Sequence, residues 1–258
     1  MNWRFENTGL RSGVFNMEYD EALARALIDG SGSPTIRVYG WKPHAISIGW
    51  NQSMDEIDLH KTTAAGIDVV RRPTGGRAIF HANELTYSVV LKAHGKNILQ
   101  IYEDISRALI AGLTELGAPV AIEKSQPHFP SLYRAASAVA CFSSTGRYEI
   151  KSDGKKLVGS AQRRYAAGGG DEVVLQHGSI LMGPEHQQMV DFLHRSSEEQ
   201  HDALRRELDD KTTDLSAVLH RQVHFHETAE AILHGFRTSW SISPELVNMK
   251  DEGQQVTL

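Results

Sequence analysis

Two neighbouring stretches of this chain carry opposite hydrophobic periods, and together they narrow the folds open to it. Over residues 84–92, Leu85, Tyr87, Val89 and Leu91 alternate with Thr86 and Ser88, the period-two pattern of a strand. A few residues later Ile98, Ile101, Tyr102, Ile105, Leu109, Leu113 and Leu116 recur at three- and four-residue steps, with Asn97 placed to cap the helix and Gly117 to stop it. An earlier helix is expected after Asn16, where Tyr19, Ala22 and Ala26 are helically spaced, Glu18, Asp20 and Glu21 sit near its positive end, and Gly30 closes it. Short strand-like runs occupy 35–39, 45–49 and 67–72. More follow at 147–151, 156–163 and 172–182, the last two joined by a glycine-rich tip at 166–170. Residues 119–146 lose all periodicity and read as a long loop, a kind that is usually functional or disordered. Residues 184–240 read as helical with a charged middle at 196–214. Helices and strands mix without a regular βαβα order, which favours α+β with mixed sheets, one domain over 1–240 and a polar tail over 241–258.

Composition removes several functions. The chain has 258 residues, 27 Lys and Arg against 32 Asp and Glu, and a net charge of −5. No overall basic field is available for nucleic acid or a membrane surface. The hydrophobic share of 40% is enough for a sizeable core. A single cysteine closes no intrachain disulfide and fits a reducing compartment. The first residues lack an apolar signal-peptide core and no apolar run is long enough to span a bilayer, so a cytoplasmic protein is expected.

Four motifs could carry chemistry. Arg71-Arg72-Pro73-Thr74-Gly75-Gly76-Arg77 lies between two strand candidates. It can be a simple turn, or a loop whose glycines let backbone N–H groups approach a ligand oxygen. It is neither a phosphate-binding P-loop nor a dinucleotide fingerprint. Cys141 can be a small buried hydrophobe or a nucleophile. With an ordinary thiol pKa of about 8.5, the second role requires a neighbouring cation. Lys156 opens a strand whose Gly159, Ser160 and Ala161 are all small, which suits close approach of a ligand. His177 reads as a hydrogen-bonded core histidine. His220, His224 and His226 lack the partners and spacing of a zinc site, so no metal is expected.

Taken in order, these segments resemble the biotin/lipoate protein ligase superfamily, and within it the cysteine-dependent octanoyltransferases of lipoate assembly. The resemblance rests on Trp3-Arg4-Phe5, Asn16-Met17, Arg37-Val38-Tyr39-Gly40-Trp41, the 71–77 loop, His81, Glu84-Leu85-Thr86-Tyr87-Ser88-Val89, Cys141-Phe142, 156–162 and 175–181. It implies a large and a small mixed β-sheet flanked by helices. It implies Cys141 as the acyl-accepting nucleophile and Lys156 as the lysine that favours its thiolate. Arg72, Gly75, Gly76, Arg77 and His81 would form one wall of the acyl pocket and Gly159 and Ala161 the other, with Val70, Ile79 and Val158 as apolar lining.

The implied partners are an octanoyl-acyl carrier protein as donor and a lipoyl-type domain, such as the glycine cleavage H protein, as acceptor, with no cofactor. For an acidic carrier, Arg71, Arg72, Arg163 and Arg164 would have to supply a basic patch. Two related activities stay open: an ATP-dependent lipoate-protein ligase, and an amidotransferase moving octanoyl between lipoyl domains. The ligases usually read Ser-Gly-Gly-Gly where this chain has Thr74-Gly75-Gly76-Arg77, and generally lack the cysteine.

Overall fold

The computed structural model describes residues 2–123, 149–194 and 197–248. In chain order the elements are β1 (Arg4–Arg11), α1 (Gly13–Asp29), β2 (Thr35–Trp41), β3 (Ala45–Ile48), α2 (Leu59–Ala64), β4 (Asp68–Arg71), β5 (Ile79–His81), β6 (Glu84–Lys92), α3 (Ile98–Glu115) and β7 (Ala121–Glu123). There follow β8 (Glu149–Ser152), β9 (Lys155–Ala166), β10 (Glu172–Leu181), a 3-10 segment (Pro184–Phe192), α4 (Glu198–Lys211), α5 (Leu215–Leu219), α6 (Phe225–Trp240) and β11 (Glu245–Asn248). Eight strands make a large mixed sheet in the order β11-β1-β2-β6-β10-β9-β8-β7, and three make a small one, β4-β3-β5. The expected α+β architecture with two mixed sheets is what the chain adopts.

Strand alternation divides the large sheet into two functional faces. Phe5, Ile36, Val38, Leu85, Tyr87 and Val89 project onto one face, where α3 and α6 cover them with Ile101, Ile105, Leu109, Ile232 and Phe236. Each such side chain contributes about 1.5–3 kcal/mol on burial, so this face anchors the fold. The intervening residues face the other way. At one end of that second face α1 packs Ala24 and Leu27 on Val90, Val173 and Leu175. At the other end the small sheet and the segments after β10 pack Ile46, Ile48 and Phe80 with Leu181, Met189, Leu204 and Leu208. A gap remains between the two covers.

The structure departs from the sequence reading in four places that matter here. Helix α1 begins at Gly13, capped by the Ser12 hydroxyl, so Asn16 lies inside it and Asp20 is buried rather than tuned to a helix end. The nominally helical stretch 184–240 breaks into four pieces; the charged middle becomes α4, which turns Leu204 and Leu208 inward. Within the expected tail, Glu245–Asn248 pairs in parallel with β1 and forms the sheet edge. The long loop begins later than expected, since Ala121–Glu123 pairs with β8. Cys141 lies outside the described residues.

Candidate active site

The gap on the second face of the large sheet is a pocket. The 72–77 loop of the small sheet leans over it, β9 and β10 form its floor, and Met17, Tyr39, Trp41 and Ile79 give it apolar walls. Of the residues expected to line it, Arg72, Gly76, His81, Gly159 and Ala161 all do, as does Ile79. Gly75 is exposed on the loop's outer side and Arg77 turns toward Glu56, 3.8 Å away. Val70 instead packs with Met17, Tyr39, Trp41 and Ala45. Val158 lies on the opposite face of the sheet, in the core beneath α3 and α6, because alternation sends it away from Gly159.

Small residues bring the walls close. A Cβ on Gly178 would meet the Gly159 carbonyl at 2.3 Å, and one on Gly49 would meet the Gly76 carbonyl at 1.9 Å, so neither site tolerates a side chain without backbone movement. The loop's carbonyls are taken by donors around it: Pro73 O by Arg163, Thr74 O by the Trp50 N–H, and Gly75 O and Arg77 O by Arg72. The Gly75 and Gly76 N–H groups have no acceptor among the described residues, which leaves them available to a ligand's oxygen.

Two polar chains run beside the pocket. In the first, the Glu84 carboxylate accepts from His81 Nδ1 at 2.8 Å, and His81 Nε2 lies 2.8 Å from the Ser47 hydroxyl. Ser47 in turn accepts from Arg72, whose buried guanidinium reaches three loop and strand carbonyls. Thr86 and Ser179 also donate to Glu84, and the Trp41 indole stacks on His81 at 4.0 Å while donating to Thr86. Burial works against ionisation of Glu84, but His81, Thr86 and Ser179 outweigh it and hold the carboxyl below its ordinary range.

In the second chain Asp20 accepts from Arg37 at 2.7 Å, from Tyr39 at 3.0 Å and from His177 Nδ1 at 3.1 Å. His177 Nε2 accepts from the Thr74 hydroxyl at 2.7 Å. Burial opposes the Asp20 charge, yet Arg37 and His177 win and lower its pKa. For His177 burial dominates, so its pKa falls below the ordinary value and the imidazole stays neutral despite Asp20.

His177 is thus the buried, bonded histidine expected, and it lines the pocket as well. Asp20, Trp41, Ser47, Glu84, Thr86 and Ser179 are not singled out as site residues by the sequence reading. The available signal was polar residues at alternate positions of strands whose other face is apolar. Thr86 and Ser88 look solvent-facing in sequence, yet both are buried.

Lys156 reaches this face through a β-bulge. Strict alternation from Gly159 and Ala161 would put it on the far side with Val158. Val158 pairs with Ile150 and Lys156 with Lys151, however, so Leu157 is an extra residue and Lys156 is turned onto the pocket side. Its ammonium is buried against Glu149 Oε1 at 2.5 Å. The backbone at Lys156 is further held by Thr213 N–H.

The four arginines supply only part of the expected open patch, with Arg71 exposed and Arg163 half-buried. Arg72 is buried, and Arg164 is paired with Glu172 at 2.6 Å. Arg71 bonds the carbonyls of Gly49, Trp50 and Gln52, while Arg163 stacks on Trp50 and Tyr165. Their fork-shaped heads are used to brace the chain's own loops. His220 and His224 end and start helices, and His226 is exposed beside Glu230. Among the described residues no three potential metal ligands gather, and no helix is long and apolar enough to cross a membrane.

Comparison with known proteins places this geometry. Residues 12–237 match the family model of the lipoyl protein ligase A/B catalytic domain. The octanoyltransferase LipM of Symbiobacterium thermophilum is 38% identical over 262 residues, covering 100% of this chain and 94% of the relative. That of Kyrpidia tusciae is 38% identical over 239 residues, covering 91% and 85%. In structure the chain is similar to a bipartite lipoate protein ligase of Thermoplasma acidophilum, with TM-score 0.77, 20% identity and coverage of 97% and 88%. It is also similar to a lipoate-protein ligase A bound with ATP, with TM-score 0.75, 21% identity and coverage of 97% and 90%. At those identities the structural likeness is one of fold.

Proposed function

The chain belongs to the lipoyl protein ligase A/B catalytic-domain family and is an octanoyltransferase of protein lipoylation, and from that premise we propose that it works by ping-pong transfer through Cys141 without ATP. The Cys141 thiolate attacks the octanoyl thioester of an acyl carrier protein, the carrier's sulfur leaves as a thiolate that takes a proton from water, and the octanoyl group rests on the enzyme as a thioester. The ε-amine of a lysine on a lipoyl-type domain, such as the glycine cleavage H protein, then attacks. A C–N bond replaces the C–S bond, and the amine's proton returns to the cysteine sulfur. A thioester-to-amide exchange is downhill, so no nucleotide is consumed.

The pocket is the observation that carries this reading. It offers apolar walls for an alkyl chain beside the Gly76 N–H group, which is open to a developing oxyanion. Lys156, on the pocket side of its strand, would favour the thiolate and contact the acyl carbonyl. Arg72, Gly76 and His81 would hold the acyl group from the loop side and Gly159 and Ala161 from the strand side. A single cysteine fits a cytoplasmic setting.

The test is intact-protein mass after mixing with octanoyl-acyl carrier protein without ATP, beside Cys141→Ala. One octanoyl adduct, absent from the variant and discharged by apo H protein, is the expected result. An acyl-adenylate formed from lipoate and ATP, surviving Cys141→Ala, would make the chain a ligase instead. Discharge of octanoyl from an acylated lipoyl domain, with no adduct from the carrier, would make it an amidotransferase.

A further inference from the structure

We infer that His177, oriented by Asp20, is a positioning residue for octanoyl transfer: it fixes the Thr74 hydroxyl and so holds the Gly75-Gly76 backbone over the acyl group. The inference rests on octanoyl transfer as the reaction, and not on the identity of the nucleophile, donor or acceptor.

The geometry dictates the direction of each proton. Asp20 is charged and can only accept, so the hydrogen of neutral His177 sits on Nδ1. Nε2 is then a lone pair, and the Thr74 hydroxyl must donate to it at 2.7 Å. Asp20 is itself immobilised by Arg37 and Tyr39 from β2, so the imidazole is aimed from a rigid base. All members are buried: Asp20 at 0%, Thr74 at 1% and His177 at 5% exposure. The chain therefore runs from α1 through the large sheet to the loop of the small sheet.

That last link matters because the loop has few side-chain ties to the large sheet. Thr74 to His177 is one, and Arg163 to the Pro73 carbonyl is another. Gly75 and Gly76 follow directly, and glycine backbone has no side chain of its own to hold it. A hydroxyl clamped one residue upstream ties them to the large sheet, beside the bonds that Arg72 makes to the Gly75 and Arg77 carbonyls.

The arrangement also makes the loop sensitive to acid. When His177 takes a proton, Nε2 becomes a donor, and the Thr74 hydroxyl can no longer donate to it. The groups facing the ring are Asp20 on α1, Arg37 and Tyr39 on β2 (joined to the same carboxylate), and Arg72 and His81 from the small-sheet side, with Glu84 on β6 behind His81.

The experiment combines imidazole ¹⁵N NMR with octanoyl-transfer kinetics across pH in wild type, Thr74→Val, Thr74→Ser and His177→Asn. The NMR should show His177 with hydrogen on Nδ1 and none on Nε2 near neutral pH; hydrogen on Nε2 overturns the inference whatever the activity. Thr74→Val keeps the shape and removes the donor, and should lower kcat/KM about tenfold. It should also flatten the acid limb that wild type shows below pH 6.5. Thr74→Ser should restore both. His177→Asn keeps a donor toward Asp20 but cannot reach Thr74. It should match Thr74→Val, and the double variant should lose no more than either single one. Wild-type rate and pH profile in Thr74→Val, or additive losses in the double variant, would overturn the inference. A wild type that transfers octanoyl only from a different donor would bear on the proposed route alone, since the same variants can be read with that donor.

Discussion

The Thr74 hydroxyl lies 2.7 Å from Nε2 of His177, although 103 residues separate them in the chain. Beside that contact, Ser47 stands at 2.8 Å from Nε2 of His81. Each imidazole presents its other nitrogen to a buried carboxylate, Asp20 in one case and Glu84 in the other. The pocket is thus flanked by two sequences of carboxylate, imidazole and hydroxyl, each ending on the small sheet or its loop. In a low-dielectric interior such networks are stabilising only when their members are satisfied, and they then impose one geometry.

Acid should reveal both chains. Asp20 and Glu84 have folded pKa values below their ordinary ones, so their stabilisation is present above the unfolded values near 4 and is lost as pH falls through the folded values. His177 and His186 are buried neutral and depressed. Below about pH 6.5 the unfolded chain binds their protons first, and stability begins to fall there. Urea unfolding at closely spaced pH values should show decline starting near pH 6.5 and steepening below 4. A variant His177→Asn should lose part of the first decline; an unchanged slope between pH 6.5 and 5 would refute the assignment.

Glu84→Ala should be costly for a reason unrelated to volume. It strands the donors of His81, Thr86 and Ser179 in a buried site. A loss of about 3 kcal/mol is expected, against about 1 kcal/mol for Glu84→Gln, which keeps one carbonyl acceptor. Chemical denaturation of both variants at pH 7 checks the order. Equal losses would mean that charge, not donor satisfaction, is what the site requires.

Gly49→Ala separates loop placement from fold. Its new Cβ would fall 1.9 Å from the Gly76 carbonyl, so either strand end or loop must shift. The clash is with the loop and not with a core side chain, so the thermal midpoint should drop by only a few degrees while octanoyl transfer falls about 100-fold. Retained activity with a large drop in midpoint would reverse the assignment.

How far the sequence could be read follows from which periods survive in it. β6 and α3 were legible end to end because one period governs each, and the 72–77 loop because glycine and arginine crowd there. The resemblance carried the two-sheet fold and the loop and strand walls. What stayed hidden were residues whose meaning depends on a partner far along the chain. Asp20 looks like a helix-end acid until Arg37 and His177 are beside it. Thr86 looks like the wet side of a strand until Glu84 and Trp41 bond it. Lys156 requires a bulge to reach the pocket face, and no period-two reading contains an extra residue.

The pairing of Lys156 with Glu149 gives the proposed chemistry a test that needs no substrate. Two opposite charges 2.5 Å apart in a buried site largely cancel at a distance, so Glu149 moderates whatever pull Lys156 exerts on a nearby thiolate. If Cys141 is the nucleophile beside Lys156, Lys156→Met removes the attraction and should slow alkylation by iodoacetamide at pH 7 about tenfold. Glu149→Gln removes the opposing negative charge, leaves the ammonium, and should speed the reaction several-fold. Opposite signs from two adjacent substitutions are hard to obtain from general loosening, which would expose the thiol and raise both rates. Alkylation of Lys156→Met at the wild-type rate would separate the cysteine from the lysine and remove Lys156 from the proposed mechanism.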